Sequence, residues 1–148
     1  MVSVVIKSSS FPAMDMINNI ESLYKRGMRQ GWFRVGNILS EELNRQVLNT
    51  PKTGRTYSRR DRIGRRRRHR ASAPGETPAN MTGEYRRSRG YEIRGSDQLE
   101  FGLRDPKSKF LEAGTRRMDP RPGIANAVKA KDNQITPLME SSLKNEFS

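Results

Sequence analysis

Three features of the sequence predict an α+β fold. A long stretch repeats its apolar residues at three- and four-residue steps, two short stretches near position 100 alternate apolar with polar, and a shorter helical stripe closes the chain. Together they give a small antiparallel sheet packed by a long N-terminal helix and a C-terminal helix. With 148 residues the chain is expected to form a single domain, residues 1–148. Hydrophobic residues make up only 32% of it, so a sizeable part must lie outside any core.

Each element has its own signal. Val2–Lys7 is a short β-branched apolar run and reads as a first strand, ended by "SSSF", after which Pro12 suits a first helical turn. From Ala13 the residues Ile17, Ile20, Tyr24, Gly27, Met28, Gly31, Val35, Ile38, Leu39, Leu43 and Val47 form one stripe of a helix reaching about Asn49. Gly27, Gly31 and Gly36 weaken that helix by roughly 1 kcal/mol each relative to Ala, and imply a bend near Gly31 or the close approach of another backbone. Thr50-Pro51 ends it, because the residue before proline is pushed out of helical geometry.

Residues 50–81 show no apolar periodicity and are expected to form an extended basic arm or loop. Met81–Ser88 fits one helical turn. Tyr91 and Ile93, then Leu99, Phe101 and Leu103, predict a hairpin with a two-residue turn at Gly95-Ser96. Asp105–Ser108 is a turn, Lys109–Gly114 a third strand, and Met118–Gly123 a proline-stiffened loop. The stripe Ile124, Val128, Ile135, Leu138, Met139 and Leu143 marks a final helix, kinked at Pro137. The expected order is β–α–loop–β–β–β–α, with the helices on one face of the sheet.

Charge is concentrated rather than spread. The formal net charge is +13, yet residues 52–70 alone hold Lys52, nine arginines and one acid, Asp61, a net +9. The remaining +4 is an ordinary balance for a soluble domain. The densest run comprises Arg59, Arg60, Arg62, Arg65, Arg66, Arg67, Arg68 and Arg70, with His69 among them. Such a block repels itself and resists burial until it meets an anion. It reads as a solvated loop, as a localisation signal, or as a contact to phosphates, which guanidinium groups bind bidentately. Only Tyr57 interleaves it, so stacking on exposed bases is not supported.

Catalytic patterns are weak. There is no cysteine, so disulfides and thiolate metal sites are excluded. His69, the only histidine, lacks a positioned carboxylate and is a poor general base. Glu92, Glu100 and Glu112 fall near the three predicted strands, where a pair such as Glu92 and Glu112 would suit a small hydrolase; solvent-facing strand carboxylates are far commoner. The spacings of a phosphate-binding loop and of a nucleophile elbow are both missing. No enzyme, cofactor or metal site is expected. No run approaches the length a membrane helix needs, and the opening residues lack a basic n-region, so neither a membrane partner nor a secretory signal is expected, and a cytoplasmic protein is the default.

Several short segments carry a resemblance. Ala71-Ser72-Ala73-Pro74-Gly75-Glu76 is followed by Pro78-Ala79, then Thr82-Gly83 and the basic-Ser end Arg87-Ser88. Further on come Phe110, Glu112, Gly114 and Thr115, then Met118 and Arg121-Pro122. In this order and spacing, over roughly residues 50–125, the chain resembles the head–tail joining, or tail-completion, family of tailed bacteriophages and prophages. It departs from the pattern at Tyr85, where an aliphatic residue is commoner, at Gly123, where a large aromatic is usual, and in its denser arginine run.

The resemblance implies a non-catalytic virion protein of the neck or tail, assembled in the host cytoplasm. Its partners would be itself, as a hexameric ring, the tail tube or tail terminator, the head connector or stopper, and packaged DNA through its phosphates. Pro74, Gly75, Gly83, Gly114 and Pro122 would then shape turns, with Thr82, Thr115 and Arg121 beside them and Glu112 meeting an arginine. The arginine run would line the DNA channel or clasp a neighbouring subunit, and the extended segment Ala71–Glu76 favours the clasp. The alternative reading is a basic nucleic-acid-binding protein of ribosomal or nucleoid type.

Overall fold

The computed structural model describes the backbone of residues 12–148 and the side chains of 16–148; the strand expected at Val2–Lys7 lies outside them. The elements run α1 (Pro12–Asn49), β1 (Thr56–Arg60), β2 (Arg66–Arg70), α2 (Glu84–Arg87), β3 (Arg89–Arg94), β4 (Gln98–Leu103), α3 (Ser108–Ala113) and α4 (Gly123–Phe147). The fold is α+β, as expected, but its strands form two separate two-stranded antiparallel sheets.

α1 is a 38-residue helix, about 57 Å long at 1.5 Å per residue. α4 runs antiparallel along it: Gly27 lies beside Leu143, Gly31 beside Met139, and Gln46 bonds to Asn126. The predicted α1 stripe is buried from Gly27 to Val47, with Val35, Leu39 and Leu43 nearly solvent-free. Before Gly27 no described element packs on it, and Ile17, Ile20 and Tyr24 are exposed. The glycines serve close approach. A Cβ on Gly31 would fall 2.6 Å from the Met139 sulfur, and one on Gly36 would fall 2.6 Å from the Tyr91 ring. Tyr91 in β3 thus lies flat on α1, where its hydroxyl donates to Asn37 Oδ1 at 2.8 Å and its ring meets Phe33 edge-on.

In the β3–β4 hairpin Tyr91 faces Phe101 and Ile93 faces Leu99. The turn holds three residues, Gly95–Asp97, not the two expected. A two-residue turn would set Ile93 against polar Gln98, whereas one more residue pairs apolar with apolar. Lys109–Gly114, expected as a third strand, is instead mostly α3, which ends at Gly114 with φ 75°. Leu111 from this helix joins Phe101 and Leu103 around the core of Leu43, Val47, Tyr85 and Ala127. α4 runs unbroken through Pro137.

Candidate functional site

The arginine run is folded. β1 and β2 pair as Thr56↔Arg70, Tyr57↔His69, Ser58↔Arg68, Arg59↔Arg67 and Arg60↔Arg66. The extended arm expected here is thus a regular β-hairpin. The physical reason is the turn: Asp61 Oδ1 accepts the backbone N–H groups of Ile63 (3.0 Å) and Arg65 (2.9 Å), while Oδ2 meets Arg67 Nε at 3.2 Å. Gly64 supplies the positive φ of 79°. Those bonds, the one from the Arg65 N–H first, hold the Asp61 carboxyl below its ordinary range.

Partners across an antiparallel pair share a face, so the hairpin has two unlike sides. Tyr57, Arg59, Arg67 and His69 share one. Arg59 reaches the Met81 sulfur, and His69 borders a cavity of about 340 Å³ with Thr82, Gly83, Tyr85 and Arg121, so this side faces the body. The other side carries Thr56 and Ser58 with Arg60, Arg66, Arg68 and Arg70, all exposed. Among the described residues none of these four arginines has an acidic partner, and Arg70 donates to the Gly54 carbonyl. Arg62 and Arg65 flank the exposed tip, where Ile63 is 78% accessible.

Below the hairpin the chain is pinned. Glu76 accepts the Thr53 N–H and hydroxyl and, at 2.8 Å, the Ala73 N–H, so one carboxylate ties both legs of the arm. The Thr53 hydroxyl foremost lowers its pKa. The Gly75 N–H donates to the Pro120 carbonyl at 2.9 Å, and Arg121 Nε donates to the Ser72 carbonyl at 3.0 Å. Thr77 donates to Gln46, which donates to Glu42, and Asn126 donates to the Gly75 carbonyl. The segment Ala71–Glu76, expected to run over a partner, is tied here to the chain's own α4 through Asn126, and Thr77 after it to α1 through Gln46.

Glu112 does not meet an arginine. Its carboxylate accepts the Tyr85 hydroxyl at 2.5 Å and the backbone N–H groups of Gly123 and Ile124, capping α4, whose own N-cap residue Pro122 offers no side-chain bond. Burial, then this carboxylate, pushes the Tyr85 hydroxyl well above its ordinary pKa. The hydroxyl occupies the space a Cβ on Gly123 would need. Gly75 and Gly83 hold φ near 80°, and Thr115 exchanges backbone bonds with Met118. Thr82, Gly83, Glu112, Gly114, Thr115, Arg121 and Pro122 thus sit around one corner with Pro74 and Gly75, while the eight arginines form the arm that rises from it.

Comparison with protein-family models, curated proteins and solved structures returns no match to the chain.

Glu92 and Glu100 face one another across β3–β4 on its exposed side and share Arg94. Glu112 is engaged in capping. Among the described residues no three His, Cys, Asp or Glu side chains are placed to hold a metal, and no helix is long and apolar enough to cross a membrane. The polar chain Glu42–Gln46–Thr77–Asn126 is not evident from the sequence pattern alone. One signal does point to it: Glu42 and Gln46 are i, i+4 neighbours immediately beside stripe positions Leu43 and Val47, where a polar residue must find a partner.

Proposed function

We propose that this chain is a structural virion subunit, not an enzyme, of the head–tail joining or tail-completion type, which closes into a ring between head connector and tail. The observation that carries this reading is convergence. The segments that bear the resemblance, Ala71–Pro78, Thr82–Ser88, Phe110–Thr115 and Met118–Pro122, meet at one corner through the Ser72–Arg121, Gly75–Pro120 and Tyr85–Glu112 bonds. The two positions that depart from the pattern also touch. Tyr85 is larger and Gly123 smaller than usual, and the tyrosine hydroxyl fills the space the glycine leaves. The two departures are thus packed against each other and not independent.

Surface supports assembly. Among the described residues more large apolar side chains are exposed than buried, and Met16, Ile17, Ile20 and Tyr24 are exposed together on the first turns of α1. A ring needs such heterologous surfaces. Native mass measurement of the purified chain is expected to show a closed oligomer, and Ile17→Glu with Tyr24→Glu to return it to monomer while shifting monomer stability by no more than about 0.5 kcal/mol, as for exposed positions. A chain that stays monomeric at high concentration and is missing from purified tailed particles sinks the reading.

A further inference from the structure

We infer that the outer face of the β1–β2 hairpin binds the phosphate backbone of duplex nucleic acid. The face presents Arg60, Arg66, Arg68 and Arg70 with the hydroxyls of Thr56 and Ser58, and no apolar side chain. A protein clasp needs an apolar centre, since charged residues are depleted from interface cores. This face offers only donors for anionic oxygens and small hydroxyls.

Spacing points the same way. Side chains two residues apart on a strand stand about 6.8 Å apart, which carries Arg66, Arg68 and Arg70 along one line. Guanidinium groups repeated along one line offer bidentate donors to a phosphate backbone, which carries one charge per about 3.4 Å of axis on each strand. Stacking on unpaired bases has no platform here, because Tyr57 is on the inner face with Arg55 over its ring.

A second copy of the chain makes a poor acceptor. Glu42, Glu76, Glu112 and Glu146 are engaged within the body, and Glu92 and Glu100 share Arg94. The extended segment below the hairpin, which favoured a clasp in the sequence, is fastened to the chain's own helices.

The hairpin is also built to gain from an anion. Arg59 faces Arg67 and Arg60 faces Arg66, like charges directly opposite, and only Asp61 offsets them. A phosphate placed between Arg60 and Arg66, the pair on the outer face, removes their repulsion, and binding releases condensed counterions, so it is sequence-independent and falls steeply with salt.

The test is fluorescence anisotropy of the full chain with a labelled mixed-sequence DNA duplex over a salt series. Wild type is expected to bind at low salt with a steep log–log slope. Arg66→Gln with Arg68→Gln is expected to reduce that slope by about 1.8, at about 0.9 for each phosphate no longer neutralised. Arg66→Lys with Arg68→Lys keeps it. Arg116→Gln with Arg117→Gln, the same charge loss on the exposed turn before Met118, leaves it unchanged. Thermal melts of all variants show that the body is folded. No binding at low salt, an equal loss of slope in both Gln pairs, or capture by poly-glutamate in place of DNA each overturns the proposal. It stands on the hairpin alone: a chain that binds DNA as a monomer keeps it and sinks the ring, whereas a ring that ignores DNA does the reverse.

Discussion

At the scale of single residues, Tyr85, Glu112 and Gly123 form one tight joint. Removing the hydroxyl in Tyr85→Phe loses a bond to a carboxylate, expected to cost about 1.5–3 kcal/mol, at the low end because Glu112 keeps the Gly123 and Ile124 N–H groups. Gly123→Ala drives a methyl into the hydroxyl, and overpacking of this kind costs about 1–3 kcal/mol. The two changes share one atom, so they should not add: in the Tyr85→Phe background the alanine is expected to cost at least about 0.5 kcal/mol less than in wild type. Urea unfolding of the two single variants and the double variant gives the coupling. Simple additivity would mean that the hydroxyl is not what excludes a side chain at position 123.

Among the elements, the hairpin tests how a strand pair survives its own charge. Each like-charge cross-strand pair, Arg59↔Arg67 and Arg60↔Arg66, is expected to destabilise it by about 0.2–1 kcal/mol, and an isolated two-stranded hairpin is marginal even when neutral. Asp61 is what holds the turn. Asp61→Ala is expected to abolish amide-exchange protection across Tyr57–Arg59 at low salt and to regain part of it at high salt, where screening shortens the reach of the repulsion. Global stability should move by less than about 0.5 kcal/mol, since the arm lies outside the core. Protection that survives the substitution at low salt would show that the turn does not depend on this carboxylate. The same element shows where sequence reading fails. Apolar periodicity marks α1 from Gly27, the β3–β4 alternation and α4, because each buries one side against the core. The arm buries neither side, so arginine stands on both faces and no alternation exists to read. Only Asp61 and Gly64, three apart with Ile63 between, mark a turn. α3 reads as a strand in the sequence because Phe110-Leu111 is too short a run to show a period, although Pro106 before it and Gly114 after it bracket a single helical turn.

For the whole molecule, two carboxylates fixed by hydrogen bonds make part of its stability depend on acid. Glu42 is held below its usual pKa first by Arg45, which binds it with Nε and Nη2 at 2.9 and 2.6 Å, and then by Gln46 and Lys131. Glu76 is lowered first by the Thr53 hydroxyl and then by the Ala73 N–H. For both, the folded protein binds a proton less readily than the unfolded chain. Their stabilisation is therefore complete above the ordinary glutamate value of 4.5 and is lost as pH falls through the depressed folded values. The urea midpoint is expected to be flat from neutrality to about pH 5 and to fall below that. Glu76→Gln separates the two sites. It removes one titrating group, so its acid limb should be shallower than that of wild type. It also frees both legs of the hairpin arm, so exchange at Thr53 and Ala73 should quicken at neutral pH, while the Glu42 part of the acid limb persists. An acid limb as steep in Glu76→Gln as in wild type would mean that the carboxylate binding Thr53 and Ala73 is not a source of stability, and that the arm is held to the body by its backbone bonds and by Arg121 instead.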